Sequence, residues 1–431
     1  VTATARPPVR PIAPYAAFAS FGVFWGVWGA SLPATRAQAD VTDAQLGTAL
    51  LFVGLGAVPA MLLTGRLLDR VGTRLSALLL GALLLAGLGL ALLAHDLAAL
   101  IVAMAVVGAA SGAADVAINA IATEAEAWSD RPILARSHGI FSAAVVVASV
   151  ASGVALNSAL IVPPLAGVFG MAALLIAAGS LVVWRGTRFG QPDSPARPHT
   201  ERDHAGGARS RRLWPLLAVG AVGAIAYAME NAFQSWSAVF LTDVHVAAAH
   251  IAAFGPAAFA AVAAVARLTL APLSRSHPAA LLVAGGAAAA IGSAILAASS
   301  GVATALLGIA LAALGTAMLF PTLLGRAVRG VPSRQRGAAT SLAAATAYVG
   351  FLAGPACMGL VAGQAGIRVA FLSVAVVAVI FAIIAAPASR WASSHLGGRH
   401  AQDAREDEAA ASLADGGTQR ASAMARRTPR A

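Results

Sequence analysis

The chain has 431 residues with a mean hydropathy of +0.79. Of these, 59% are hydrophobic and only 11% charged, against about 25% charged in a soluble globular protein, so an ordinary soluble domain is excluded and a membrane protein implied. All 29 basic residues are arginine, which suggests GC-rich coding, and the net charge of +11 sits in loops and tails rather than on a folded basic face, which argues against nucleic-acid binding.

A bilayer core takes about 20 apolar residues of helix. The first apolar run, 15–33, is too long for a signal-peptide core and has no convincing cleavage site, which predicts a retained helix. Further helices are predicted at 45–64, 75–94, 97–124, 138–158, 161–184, 213–242, 248–272, 279–299, 302–325, 337–361 and 366–387. The fifth and sixth are separated by the turn signal Pro163-Pro164. The ninth and tenth are separated only by Ser299-Ser300-Gly301, so eleven helices is the competing count. Arginine placement supports twelve. With the amino terminus inside, 27 of the 29 arginines, Arg267 and Arg275 among them, fall in cytoplasmic segments, and only Arg36 and Arg368 fall outside. The chain then divides into a cytoplasmic amino-terminal segment (1–14), a six-helix half (15–185), a cytoplasmic linker rich in Arg, Pro, Gly and His (186–212), a second six-helix half (213–388) and a cytoplasmic, mostly disordered tail (389–431). The single cysteine, Cys357, allows no disulfide within the chain.

Between Gly65 and Arg74 the chain reads GRLLDRVGTR, in the short gap between the second and third predicted helices. The pattern G-x-L-x-D-R-x-G-x-R resembles the signature loop of the major facilitator superfamily. That resemblance implies an all-α, polytopic membrane fold with two six-helix halves related as parallel repeats. It implies a cavity lined by the first, fourth, seventh and tenth helices. It also implies a cytoplasmic gate built on Gly65, Asp69, Arg70, Gly72 and Arg74, in which Asp69 caps a helix across the interface between the halves. A shift of about 201 residues brings the halves into register, but Ala266, Leu270 and Leu273 then stand where the first copy has Gly65, Asp69 and Gly72. The second copy of the loop is degenerate.

Further stretches are similar to one largely uncharacterised bacterial inner-membrane branch of that superfamily, related to sugar permeases of the fucose-permease type. They are WGASLPATR (28–36), VTDAQLG (41–47), DVAIN (115–119), Glu126, Arg131-Pro132, His138, Phe141-Ser142, Glu230, Trp236-Ser237-Ala238, Leu241, Phe320-Pro321 and GFLAGP (350–355). The branch implies a bacterial inner membrane with both termini cytoplasmic.

Acidic groups inside membrane helices are costly, by about 2.5–3.5 kcal/mol on insertion scales. Asp115 and Glu230 lie well inside predicted spans. Ser111, Asp115, Asn119 and Thr123 recur every four residues and form one polar stripe. Tyr227, Glu230, Asn231 and Gln234 form another. A buried carboxyl that titrates and faces two sides in turn is what proton coupling needs, which makes Glu230 and Asp115 the candidate proton-coupling residues. Asn119, Tyr227, Asn231, Gln234 and Trp25 are the candidate substrate contacts. Trp28, Trp236 and Tyr348 are further aromatic candidates, with membrane-interface anchoring favoured for Trp28 and Trp236. His138, at the start of the fifth helix, fits an interface or latch role. The glycines of 350–359 fit close helix packing. No Arg falls at the midplane of a predicted helix, which favours a neutral or cationic solute. No nucleotide-binding loop or metal-binding cluster is evident, and neither catalytic residues, a cofactor nor a metal is expected.

These features point to a proton-coupled secondary transporter, not an enzyme, that moves a small neutral or cationic, sugar-like organic solute by alternating access. Its partners are that solute, protons and the lipid bilayer, and it is expected to be a monomer. A drug or metabolite efflux antiporter is the alternative. A membrane sensor or scaffold of the same fold is the alternative from another class.

Overall fold

The computed structural model describes residues 9–397, apart from 130, 159–162, 189–205, 330 and 332. Most of the linker and nearly all of the tail therefore lie outside the described residues. Fourteen helices are formed: α1 Ile12–Gln38, α2 Asp43–Val71, α3 Leu75–Leu93, α4 Leu97–Ser129, α5 Ile133–Leu156, α6 Pro164–Gly186, α7 Gly206–His245, α8 Ala249–Ala252, α9 Phe254–Ser276, α10 Pro278–Ala298, α11 Val302–Thr316, α12 Leu319–Val328, α13 Ser333–Ala365 and α14 Ile367–Gly397. With α8–α9 and α11–α12 each taken as one interrupted span, twelve spans among the described residues are long and apolar enough to cross a membrane. The weak Ser299–Gly301 break is real, and twelve is the count.

Several helices run past their predicted ends because their polar termini are themselves good helix formers. The signature segment is the clearest case. Gly65–Val71 is not loop but the last two turns of α2, where Arg66, Asp69 and Arg70 are exposed beyond the apolar stretch. The helix stops at Gly72, whose φ of 93° suits a residue without Cβ. Likewise α4 continues to Ser129, so Glu124 and Glu126 are helical. Glu126 accepts a hydrogen bond from the Leu134 amide (2.9 Å) and so caps the start of α5. Residues 206–212 of the predicted linker belong to α7, and 389–397 of the predicted tail belong to α14.

Packing repeats under a shift of six spans. In the first half α1 lies on α5 and α6, α2 on α4, and α3 on α4 and α6. In the second, α7 lies on α13 and α14, α9 on α11, and α10 on α11 and α14. The halves meet mainly where α2 crosses α13 and α5 meets α8 and α9. Small residues allow these approaches. A Cβ on Gly350 would strike the Ala224 carbonyl, and one on Gly359 would strike the Asp43 carbonyl and Gly47. The glycines of 350–359 thus pack α13 against both halves.

The halves are pinned together at one end. Arg36, at the end of α1, donates to Asp43 of α2 (2.5 Å) and to both oxygens of Asp243 on α7 (2.5 and 2.6 Å). Nearby, the Ser149 hydroxyl of α5 donates to the Ala253 carbonyl (3.0 Å). The signature segment stands at the opposite end. There Asp69 is exposed and makes no hydrogen bond or ion pair among the described residues.

Candidate functional site

A cavity of about 280 Å³ lies between the halves. α1, α2, α4 and α5 line it from one half, and α7, α9 and α13 from the other. Of the four helices expected at the cavity, the first, fourth and seventh are there. The tenth span contributes no lining side chain. Seven aromatic rings form much of the wall: Phe21, Trp25, Trp28, Phe141, Phe259, Tyr348 and Phe351.

Both singled-out carboxylates face this space. Asp115 comes from the amino-terminal half and Glu230 from the carboxy-terminal half. Asn119 is turned onto Asp115, donating to its side chain (3.1 Å) and its carbonyl (2.8 Å). It does not line the cavity. Gln234 does line it and donates to Glu230 (3.1 Å) one turn back along α7. Asn231 lines the wall, but its amide is committed. It donates to the Phe351 carbonyl (2.9 Å) and accepts from Ser235 (2.8 Å), tying α7 to α13. Tyr227 lies off the cavity, with its ring 4.5 Å from that of Phe320 and 5.7 Å from that of Tyr348. Trp25 lies on the wall, edge-on to Trp28 and Phe24.

The two tryptophans favoured as interface anchors are not at the surface. Trp28 is 4% exposed on the cavity wall, and Trp236 is 0% exposed, fully inside the core. Their apolar neighbours on every side of the helix outweigh the interfacial preference of an indole. His138 stacks edge-on against Phe18, joining α5 to α1.

The sequence reading missed Arg267. Charge counting assigns it to a cytoplasmic segment. In the structure it lines the cavity, and its Nη2 donates to Glu230 at 2.7 Å. The premise that no cation serves the cavity therefore fails, and with it the argument for a neutral or cationic solute. The error has a physical cause. The degenerate second copy places Ala266, Leu270 and Leu273 around this arginine, so α9 is apolar there, and it carries the guanidinium to the cavity wall. One signal was available: Arg267 falls inside the predicted 248–272 span, and a lone acid inside a neighbouring span needs a counter-charge.

A broken span steadies this pair. Pro321 has no amide hydrogen and cannot bond the carbonyl four residues back, which belongs to Ala317. The tenth span is interrupted there, between α11 and α12. The freed Ala317 carbonyl accepts from Nε of Arg267 (3.3 Å). One guanidinium thus serves an orphaned backbone acceptor and a carboxylate at once.

A model of the Major Facilitator Superfamily matches the chain in two overlapping stretches, 15–301 and 247–413. An uncharacterised MFS-type transporter of Yersinia pestis is 31% identical over 368 residues, which cover 83% of this chain and 90% of that protein. The crystal structure of a D-xylose–proton symporter superposes with a TM-score of 0.69 at 14% identity, covering 87% of this chain and 96% of its own. A bacterial homologue of the human lysosomal transporter Spinster, in an inward-facing and occupied conformation, gives 0.65 at 18% identity, covering 89% and 96%. At these identities the two structures speak for the fold alone.

Proposed function

The chain belongs to the major facilitator superfamily, a family of secondary transporters, and on that premise we propose that it is proton-coupled and moves a small organic solute by alternating access. One observation carries the proposal: titratable carboxyls from both halves, Asp115 and Glu230, face a single cavity at the interface between them. Rocking of the halves would expose these groups to each side in turn. A solute that binds one protonation state better than the other would link its own movement to the proton's, because a ligand shifts an equilibrium only by its differential affinity. Gln234 and Trp25 are the proposed solute contacts, while Asn119 holds Asp115 in place and Asn231 braces α13.

The branch resemblance favours a sugar-like solute. The aromatic wall favours a second reading, export of an amphipathic solute. A sugar needs many directed hydrogen bonds, and the polar groups here are few and partly committed to one another. The arginine bias favours a topology with both termini cytoplasmic, and the branch resemblance favours a bacterial inner membrane. A single chain is the proposed transport unit, which fits a cavity lined by both halves of the same chain.

Ligands found by thermal shift on the purified protein would be tested for flux in proteoliposomes with an imposed pH gradient. The proposal expects the gradient to drive accumulation or expulsion of a ligand. Ligands that bind but never cross would mark the protein as a sensor, and flux indifferent to the gradient would remove the proton coupling.

A further inference from the structure

Resting on the transport reading above, we propose that the solute carries a carboxylate, taken by Arg267, on an apolar or aromatic body. Arg267 is not consumed by its partners. A guanidinium has five N–H donors, and here one goes to Glu230 and one to the Ala317 carbonyl. The remaining donors, including both on Nη1, have no partner among the described residues, and the side chain is 45% exposed. Glu230 is the more enclosed member at 13%. The Ala317 contact fixes one edge of the guanidinium, so its other edge is presented ready-oriented. A planar fork of this kind matches a carboxylate in two-point contact. Beyond it stand the rings of Trp25, Phe141, Phe259, Tyr348 and Phe351, which suit the body of an amphipathic acid.

The charges give this binding a proton requirement. With Glu230 ionised, its pair with Arg267 is neutral, and an added anion would also meet Asp115 across the cavity. A proton on Glu230 leaves Arg267 uncompensated by its neighbour, and the solute carboxylate then restores the pairing. One proton is taken up on Glu230 for each carboxylate bound. The other groups around the pair fit this exchange. α4 contributes Asp115, α5 contributes His138 within electrostatic reach of Arg267, and α13 contributes Tyr348. α7 itself adds Gln234 and Tyr227, while α1 and α2 present no ionisable side chain to the cavity.

The test uses the full chain in nanodiscs. The probes are matched pairs: 3-phenylpropionate with 3-phenylpropanamide, and short alkyl and aryl monocarboxylates with their amides. Binding is read by calorimetry and thermal shift at pH 6 and pH 8. At pH 6 the acid of at least one pair should bind at least about tenfold tighter than its amide. Its binding should weaken at pH 8. Arg267→Gln should erase the preference for the acid, and Arg267→Lys should keep part of it. Glu230→Gln should bind the acid equally at both pH values. Because Glu230→Gln keeps the side-chain shape, this arm stands even if Arg267→Gln does not fold. The inference is overturned if no acid is preferred to its amide, if folded Arg267→Gln keeps the preference, or if Glu230→Gln keeps the pH dependence. A gradient that drives amides or amines but never acids would overturn it while leaving transport intact. Acids that bind through Arg267 but never cross would leave it standing and remove transport.

Discussion

Glu230 and Asp115 face the same cavity but are held differently, and the difference separates their roles. Glu230 has a cation at 2.7 Å and an amide donor at 3.1 Å. Among the described residues, Asp115 has only the Asn119 amide. A carboxyl that can trade a partnered, charged state for a protonated one is suited to coupling. Glu230→Gln keeps the shape and removes the titration. It should abolish accumulation driven by a proton gradient while solute counterflow across the same vesicles persists. Asp115→Asn should impair coupling less, since its neighbour Asn119 can still hydrogen-bond it. Gradient-driven transport undiminished in both variants would leave the acids a purely structural role. Each acid was legible in the sequence because an ionisable group in an apolar run stands out against its surroundings. Arg267 was not, because charge counting assigns any arginine near a predicted span end to the adjacent loop, and only the fold shows that α9 turns it toward Glu230. That Asn119 and Tyr227 stand off the cavity was not legible for a related reason. Spacing places a residue on a stripe, but whether that stripe ends on the cavity or on a neighbour depends on packing.

At the scale of the helix, the break in the tenth span is the feature with most consequence. Phe320-Pro321 was visible as a motif, and helix-breaking by proline is predictable. What could not be read was the use of the freed Ala317 carbonyl, which depends on α9 passing at that height. Pro321→Ala supplies an amide hydrogen and lets the helix close on Ala317. One restored backbone bond contributes about 0.5–1.5 kcal/mol, so thermal stability should hold or rise slightly. Transport should fall, because Arg267 loses the contact that orients it. Scanning calorimetry and flux on the same preparation check both halves of this expectation; loss of stability together with unchanged flux would show that the break serves packing alone. Helix ends were the other weak point of the sequence reading. The hydropathy of α2 falls away near Gly65, yet the helix continues to Val71 because Arg, Leu and Asp are compatible with helix and the end projects beyond the apolar layer.

For the whole molecule, side-chain patterning carried the number of spans and predicts the sidedness of most arginines, while the conformational state was beyond it. The sidedness has a direct check on a Cys357→Ala background. A cysteine introduced at Pro198 should resist a membrane-impermeant reagent added outside intact cells and react once the membrane is opened; labelling from outside would invert the topology. The state is set by contacts between the halves. In this structure the Arg36–Asp43–Asp243 cluster closes one end, while Asp69, at the other, has no partner among the described residues. Alternating access requires the reverse arrangement as well, in which the Arg36 cluster separates and, on the latch reading, Asp69 caps a helix of the opposite half. The two devices then oppose each other across the molecule. Arg36→Ala should favour opening at its own end, seen as a longer distance between spin labels at Gln38 and Val246. Asp69→Asn should leave the stability of the present state nearly unchanged, since no contact is lost in it, yet slow transport by weakening the other state. The double variant should bring the Gln38–Val246 distance distribution back toward that of the wild type, because both states have lost a clamp. If Asp69→Asn transports at the wild-type rate, or if the double variant shows the same distances as Arg36→Ala alone, the signature segment is not a latch in this protein and the balance between its two states is set elsewhere.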